Sequence, residues 1–173
     1  ATTTTTGFAK VHCTASNAGV DKEWLSSFDE GYCTVKQTFK AGKTLPYEWR
    51  MAQLQAMEQM VLNEQEFFCQ ALYEDLNRPK FEAAIEVSGI VSDLRFVMRH
   101  LKTWMKPESV PTPLLLQLGS SYYQHVPKGV VLILGAWNFP VVLTLQPCIA
   151  AIAAGNCVVA KPSELSPKTA QAL

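Results

Sequence analysis

Apolar residues recur at intervals of three and four along the first part of the chain, a spacing typical of helices that bury one face. The spacing predicts a first helix over residues 21–40, with Gly42 as a natural stop behind it. Its apolar stripe consists of Leu25, Phe28, Tyr32, Val35 and Phe39. Residues 1–20 are rich in Thr, Ser, Ala and Gly, a composition that predicts a flexible arm.

Two longer helices are predicted downstream, and a proline ends each of them. The second covers residues 48–76 and stops before Pro79, and the third covers residues 81–105 and stops before Pro107. The stripe of the second consists of Met51, Leu54, Met57, Met60 or Val61, Phe68 and Leu72. The stripe of the third consists of Ala84, Val87, Val91, Leu94, Met98 and Leu101. Such stripes favour the packed core of a helical hairpin over a cofactor pocket.

Behind the third helix the pattern becomes strand-like. Residues 107–113 have a loop-like composition, and residues 114–124 predict one or two short strands. The apolar, β-branched run Val130–Leu134 is typical of a parallel strand buried on both faces. The elements predicted after it are a helix over 144–154, a strand over 157–160 and a helix that begins after an N-cap at Ser166.

The order of these elements predicts an α/β fold, because helices come first and a β-α-β unit comes last. We expect the helical lead-in to span residues 21–106 and the strands with the β-α-β unit to span residues 114–173. Together, residues 21–173 form one part of a domain, behind the arm of residues 1–20.

Composition and charge exclude several classes of protein. Hydrophobic residues make up 48% of the 173 positions, too many for a disordered protein. The 15 basic and 15 acidic residues cancel, which leaves no electrostatic case for nucleic acid binding. The five cysteines form no CxxC pair and the three histidines do not cluster, so neither a disulfide framework nor a metal site is expected. A cytoplasmic setting is the expectation, and the missing first Met suggests a processed, engineered or truncated start.

A polar residue that could carry chemistry follows the first strand of the β-α-β unit. In open α/β sheets ligands bind outside the carboxyl ends of the strands, and Asn138 lies there. Pro140 restricts Phe139 to extended conformations and so fixes the loop. The Asn138 amide could donate to a developing oxyanion, or it could cap the helix that follows. The residues alone favour neither role.

A second polar turn, Lys161-Pro162-Ser163-Glu164, follows the second strand. Glu164 lies 26 residues after Asn138, a loose fit to the carboxylate that accepts ribose hydroxyls in dinucleotide-binding units. Lys161 could donate to a ribose or a phosphate. The alternative is a solvated turn with an incidental charge pair, which is common. The glycine fingerprint G-x-G-x-x-G is missing, so a standard pyrophosphate cradle is not supported.

These motifs together resemble the aldehyde dehydrogenase superfamily. The resemblance rests on GVVLILGAWNFP and on LQPCIAAIAAGNCVVAKPSELS, in which 23 residues separate Asn138 from Lys161. It extends upstream through AGKTLPYEWRMAQLQAMEQMV, ALYEDLNRPKFEA and YYQHVPKGVV, and so covers about residues 39–173. Within the superfamily the chain is most similar to the class 3 and fatty aldehyde dehydrogenase branch.

The resemblance implies a function and assigns roles to the two turns. It implies a modified Rossmann domain that binds NAD, or NADP, without the glycine fingerprint, and oxidation of an aldehyde to a carboxylic acid by a homodimer. Asn138 would stabilise the thiohemiacetal oxyanion, and Lys161 and Glu164 would contact the adenosine ribose. Trp137 and Ser163 are expected to complete the cofactor site.

The resemblance also predicts what this chain lacks. In the family the nucleophilic Cys, the general-base Glu and a Gly-rich loop lie downstream of the Lys-Pro-Ser-Glu motif, so the 173-residue chain is expected to be an inactive fragment. Cys148 and Cys157 fall on a packed helix and a buried strand, where thiols are structural. The alternative is a non-catalytic truncated isoform that acts as an interaction module. Membrane association stays undetermined at this point.

Overall fold

The computed structural model of the protein describes residues 22–116 and 118–173, with side chains described from Phe28 onward. The predicted arm of residues 1–20 lies outside the described residues. The helices are α1 (Lys22–Lys40), α2 (Tyr47–Asn63), α3 (Gln65–Leu76), α4 (Lys80–Trp104), α5 (Val142–Ala153) and α6 (Pro167–Ala172). The strands are β1 (Glu108–Val110), β2 (Ser121–Tyr123), β3 (Val130–Leu134) and β4 (Cys157–Lys161).

The single helix predicted over residues 48–76 is wrong, because the chain breaks at Glu64 into α2 and α3. Glu64 has φ −102° and ψ 13°, outside helical geometry, and it ends one helix as it begins the next. The apolar stripe runs through Val61 and resumes at Phe68, with polar residues at 64 and 65 between them. At positions 64 and 65 an uninterrupted helix would have no apolar side chain to bury, so one helix ends at Asn63 and the next begins at Gln65.

Helix α4 forms the centre of the helical layer and buries more than its predicted stripe. Val87, Val91, Leu94 and Leu101 are buried as predicted, whereas Ala84 and Met98 are only half-buried. The additional buried residues are Ala83, Glu86 and Ile90. Because α4 packs against α2, α3 and α5, its buried face is wider than the single stripe that the sequence pattern describes.

The segment between α4 and β3 differs from its prediction in two places. Residues 108–110, predicted as loop, form β1, which pairs antiparallel with β2. The run Leu114–Leu116, predicted as strand, forms a single 3-10 turn with its leucines exposed. Pro111 and Pro113 lie between β1 and this turn, and since neither has a backbone N–H donor the ladder does not extend past Val110.

The parallel pair β3 and β4 is confirmed, in a register that pairs Val130 with Cys157 and Leu134 with Lys161. The prediction that β3 is buried on both faces is wrong. Ile133 is 7% exposed and joins the core, whereas Leu132 is 58% exposed. Successive side chains of a strand point to opposite faces, so one face of β3 packs inward and the other stays open among the described residues.

One hydrophobic core joins the helical lead-in to the β-α-β unit. Fully buried residues of α2, α3 and α4, such as Leu54, Leu72 and Leu94, belong to the same cluster as Ile149 of α5 and Ile133 of β3. The lead-in is therefore a structural support for the turns behind β3 and β4. Across residues 22–116 and 118–173, no helix has the length and apolar character needed to cross a bilayer.

Candidate active site

The turn after β3 is shaped by a close approach between the strand and α5. Gly135 donates its backbone N–H to the Lys161 carbonyl at 2.9 Å, and a Cβ at this position would collide with the hydroxyl of Thr144. That hydroxyl in turn donates to the Pro140 carbonyl at 2.7 Å. Only glycine fits this corner, and the turn over residues 135–140 is anchored at both ends.

Asn138 is exposed in this turn, and its side-chain amide has no hydrogen-bond partner in the described part of the chain. The helix-cap alternative for Asn138 is wrong. Helix α5 begins at Val142 without a local side-chain cap, and a distant carboxylate fills that role. The Glu86 Oε1 atom accepts the backbone N–H groups of Val141 and Val142, each at 3.1 Å. The Asn138 amide is therefore available for another partner.

Sequence reasoning missed two residues that hold this turn. Arg78 forms an ion pair with Glu86 through Nη1 and donates from Nη2 to the Asn138 carbonyl at 2.5 Å. Its guanidinium carbon lies 4.5 Å from the centre of the Phe139 ring, in cation–π geometry. No sequence pattern singled out Glu86, because it lies outside the predicted apolar stripe of α4. Its burial, and with it the need for a partner, is seen only in the structure.

The turn after β4 presents two charged side chains to solvent. The Lys161 Nζ and Glu164 Oε2 atoms lie 2.5 Å apart, with 48% and 68% of the respective side chains exposed. The hydrogen bond from Lys161 holds the pKa of Glu164 below its usual value, helped by a backbone hydrogen bond and by the lysine charge. Glu164 is thus an ionised acceptor at the carboxyl edge of the sheet, next to a donor of opposite charge.

The two turns are linked to each other. Trp137 is 51% exposed, and its carbonyl accepts the Ser166 hydroxyl at 3.2 Å. Ser163 is buried, and its hydroxyl oxygen accepts the Leu165 N–H at 3.2 Å. The structure thus links the Trp137 carbonyl to Ser166, which follows the turn of Lys161 and Glu164, while Ser163 shapes that turn from inside.

Ser166 occupies the N-cap position of α6 as predicted, but its side chain caps nothing. The cap comes from Asp75 at the end of α3. The Asp75 Oδ2 atom accepts the Thr169 N–H at 2.7 Å and the Thr169 hydroxyl at 2.8 Å, and Oδ1 accepts the Lys168 N–H at 3.1 Å. The lead-in therefore supplies a carboxylate to the first turn of both α5 and α6, where the helix dipole favours negative charge.

The cysteines predicted to be structural are packed as expected. Cys148 is 2% exposed and Cys157 is 8% exposed. Burial raises the pKa of Cys148 to about 11, and its thiol donates to the Thr144 carbonyl at 3.0 Å. A thiol in this state is not a nucleophile near neutral pH.

The fold and the site define a class of protein: an α/β protein with polar turns at the carboxyl ends of a parallel strand pair. Residues 18–173 match the model of the Aldehyde dehydrogenase family, and the chain belongs to that family. Aldehyde dehydrogenase family 3 member I1, chloroplastic, of Arabidopsis thaliana is 39% identical over 170 residues, which cover 95% of this chain and 31% of that protein. The resemblance to the class 3 branch is confirmed.

Solved structures show the same fold. The substrate-bound AldH of Staphylococcus aureus superimposes with a TM-score of 0.82 and 33% identity, covering 84% of this chain and 32% of that one. Succinic semialdehyde dehydrogenase from Streptococcus pyogenes, in complex with NADP+, gives a TM-score of 0.74 at 19% identity, covering 91% and 33%. The chain spans about a third of the length of these relatives.

Proposed function

We propose that the protein containing this chain oxidises an aldehyde to a carboxylic acid with a nicotinamide cofactor. The observation that carries the proposal is the free side-chain amide of Asn138, fixed at the carboxyl end of β3 in a chain of the aldehyde dehydrogenase family. Attack of a thiolate on an aldehyde carbonyl turns the carbonyl oxygen into an oxyanion. An amide N–H donor held in place before the reaction stabilises that charge without reorganisation.

The proposed cofactor site is the exposed turn after β4. A nicotinamide cofactor, when bound, supplies the two-electron acceptor for aldehyde oxidation. The Glu164 carboxylate can accept hydrogen bonds from ribose hydroxyls and Lys161 can donate to them. The exposed ring of Trp137, in the turn linked to this one through Ser166, offers apolar surface to the cofactor. Ser163 contributes by holding the turn.

The charge of the turn bears on which cofactor is preferred. Glu164 is held ionised by Lys161, so it repels a 2′-phosphate, and we propose NAD as the cofactor with NADP as the weaker alternative. The NADP+ complex of the Streptococcus pyogenes enzyme supports a nicotinamide cofactor in this fold without deciding between the two.

The 173-residue chain alone is proposed to be inactive. Cys69, Cys148 and Cys157 are buried, and burial raises the pKa of each thiol. Cys33 is exposed on α1, and Cys13 lies outside the described residues. We propose that the nucleophile belongs to a longer, homodimeric, cytoplasmic protein, and no observation favours the alternative of a non-catalytic module.

The proposal is tested by following aldehyde-dependent formation of reduced nicotinamide. Two samples are compared, the longest protein product that contains this chain and the 173-residue chain alone. Turnover by the first and none by the second is the expected result. Absence of turnover by the longer product with either cofactor, across short and long aliphatic and aromatic aldehydes, would contradict the proposed function. Turnover by the short chain would contradict the assignment of the nucleophile.

A further inference from the structure

We infer that Arg78 and Glu86 are positioning residues for Asn138, an inference that rests on the proposed role of Asn138 as an oxyanion donor. Neither residue belongs to the strand–turn–helix unit that carries Asn138. Arg78 lies between α3 and α4, and Glu86 lies in the second turn of α4. They reach the Asn138 turn across 60 and 55 residues of sequence.

Arg78 holds the Asn138 turn by two different contacts. Nη2 donates to the Asn138 carbonyl at 2.5 Å, and the guanidinium carbon lies over the ring of Phe139, 4.5 Å from its centre. The carbonyl bond fixes the peptide that follows Asn138, and the ring contact fixes the next side chain. A lysine could neutralise a carboxylate at this place, but it could not make both contacts, because its donors do not form a planar fork.

Glu86 holds the other end of the same turn. Its side chain is only 2% exposed, and both of its oxygens are used, Oε2 by Arg78 and Oε1 by the backbone of Val141 and Val142. A buried carboxylate is tolerated when its lone pairs are satisfied in this way. Asn138 therefore lies on a short segment with one anchor at its own carbonyl and a second anchor three residues later.

The backbone on both sides of Arg78 is restricted, which supports a fixed placement of its side chain. Asn77 ends α3 with a left-handed backbone, φ 50°, and Pro79 occupies the cap position of α4. Left-handed geometry costs any residue other than glycine some free energy, and asparagine tolerates it best. From this position the Arg78 side chain extends to the Asn138 turn at the sheet edge instead of into solvent. Only 12% of that side chain is exposed.

Displacement of an oxyanion donor by about 1 Å can lower a rate by about 100-fold, so loosening the turn has a measurable cost. The test is a double-mutant cycle on the longest protein product containing this chain, with its nicotinamide cofactor. Arg78→Lys is expected to lower kcat by about tenfold while the KM for the cofactor changes by less than about twofold. In an Asn138→Ala background, Arg78→Lys is expected to change kcat by less than about twofold, because nothing is left to position.

A structural role alone gives a different pattern. If Arg78→Lys lowers kcat by the same factor with and without Asn138, the positioning role is overturned and the proposed function stands. If Asn138→Ala leaves kcat unchanged, both the oxyanion role and the positioning role are overturned. Arg95→Lys is the matched control, since Arg95 pairs with Glu58 of α2, about 2.5 helical turns beyond Glu86 on α4, and its replacement should leave kcat unchanged.

A second measurement tests the contacts of Glu86 with the Asn138 turn and does not depend on enzyme activity. Hydrogen exchange at the Val141 and Val142 amides is expected to quicken by about tenfold or more in Glu86→Ala, since their acceptor is lost. Glu86→Gln keeps an acceptor oxygen and is expected to retain most of the protection. Exchange that is unchanged in Glu86→Ala would overturn the anchor and the inference with it, whatever the kinetics show.

Discussion

The thiol of Cys148 shows how the fold makes a potentially nucleophilic group unreactive. Cys148 is buried in the core on α5, and this burial disfavours the thiolate, which is the nucleophilic form. Its raised pKa also links stability to pH. The folded state holds the thiol proton more tightly than the unfolded state, so the stabilisation is complete below the ordinary value of 9.0 and is lost as the pH rises through about 11.

Cys148→Ser is expected to flatten this alkaline loss of stability. Serine keeps a donor for the Thr144 carbonyl but does not ionise in this range, so the wild type should lose about 2–3 kcal/mol more than the variant between pH 9 and 11. Urea unfolding of the 173-residue chain at several pH values measures the difference. Cys33→Ser, which removes an exposed thiol, is the control. An equal loss of unfolding free energy with rising pH in the wild type and in Cys148→Ser would contradict the account.

The residues proposed for the site were chosen from local sequence, whereas the residues that hold the turn of Asn138 and the first turn of α6 could not be found that way. Two short motifs follow the two parallel strands and contain Asn138, Lys161 and Glu164. The backbone conformation of such a motif depends mainly on its own residues, so it can be read from local sequence. Arg78 and Asp75 act across 60 and more than 90 residues, so their roles depend on how α3 packs. Sequence periodicity predicts that α3 buries one apolar face. It does not predict which residues the C-terminal end of α3 will contact.

At the scale of elements, α3 is joined to α6 because Asp75 of α3 caps the first turn of α6. Asp75→Ala is expected to lower the free energy of unfolding by about 1–2 kcal/mol, because two backbone donors and the Thr169 hydroxyl lose a charged acceptor. Asp75→Asn keeps an acceptor and should cost less. Urea unfolding of the 173-residue chain measures both, with exposed Glu74→Ala as the matched control. A loss for Asp75→Ala no larger than that for Glu74→Ala would rule out the cap.

The elements themselves were largely predictable, and the failures have physical causes. Periodicity located α1, α4, β3, α5 and β4 to within about two residues, since each has a continuous apolar pattern. The break at Glu64 was missed because no Gly or Pro marks it. The leucines of Leu114–Leu116 suggested a strand by composition, but they have no described element to pair with or pack against.

At the scale of the molecule, the open face of the β3–β4 pair is the property that the sequence could not reveal. Burial on both faces depends on neighbours outside the strand, and Leu132 and Leu134 remain 58% and 67% exposed. Leu132→Thr combined with Leu134→Thr should raise the soluble yield of the 173-residue chain and reduce its binding of an apolar dye. Ile133→Thr alters the buried neighbour and should do the opposite. Equal dye binding by both variants would refute the open face.

The function proposed for the whole molecule is tested most directly by kcat for aldehyde oxidation in the wild type and in Asn138→Ala. The protein is the longest product that contains this chain, assayed with saturating nicotinamide cofactor. The account predicts turnover by the wild type and a loss of about 100- to 1,000-fold in kcat for Asn138→Ala, the size expected for one oxyanion donor. An Asn138→Ala variant that oxidises aldehydes at the wild-type kcat would contradict it.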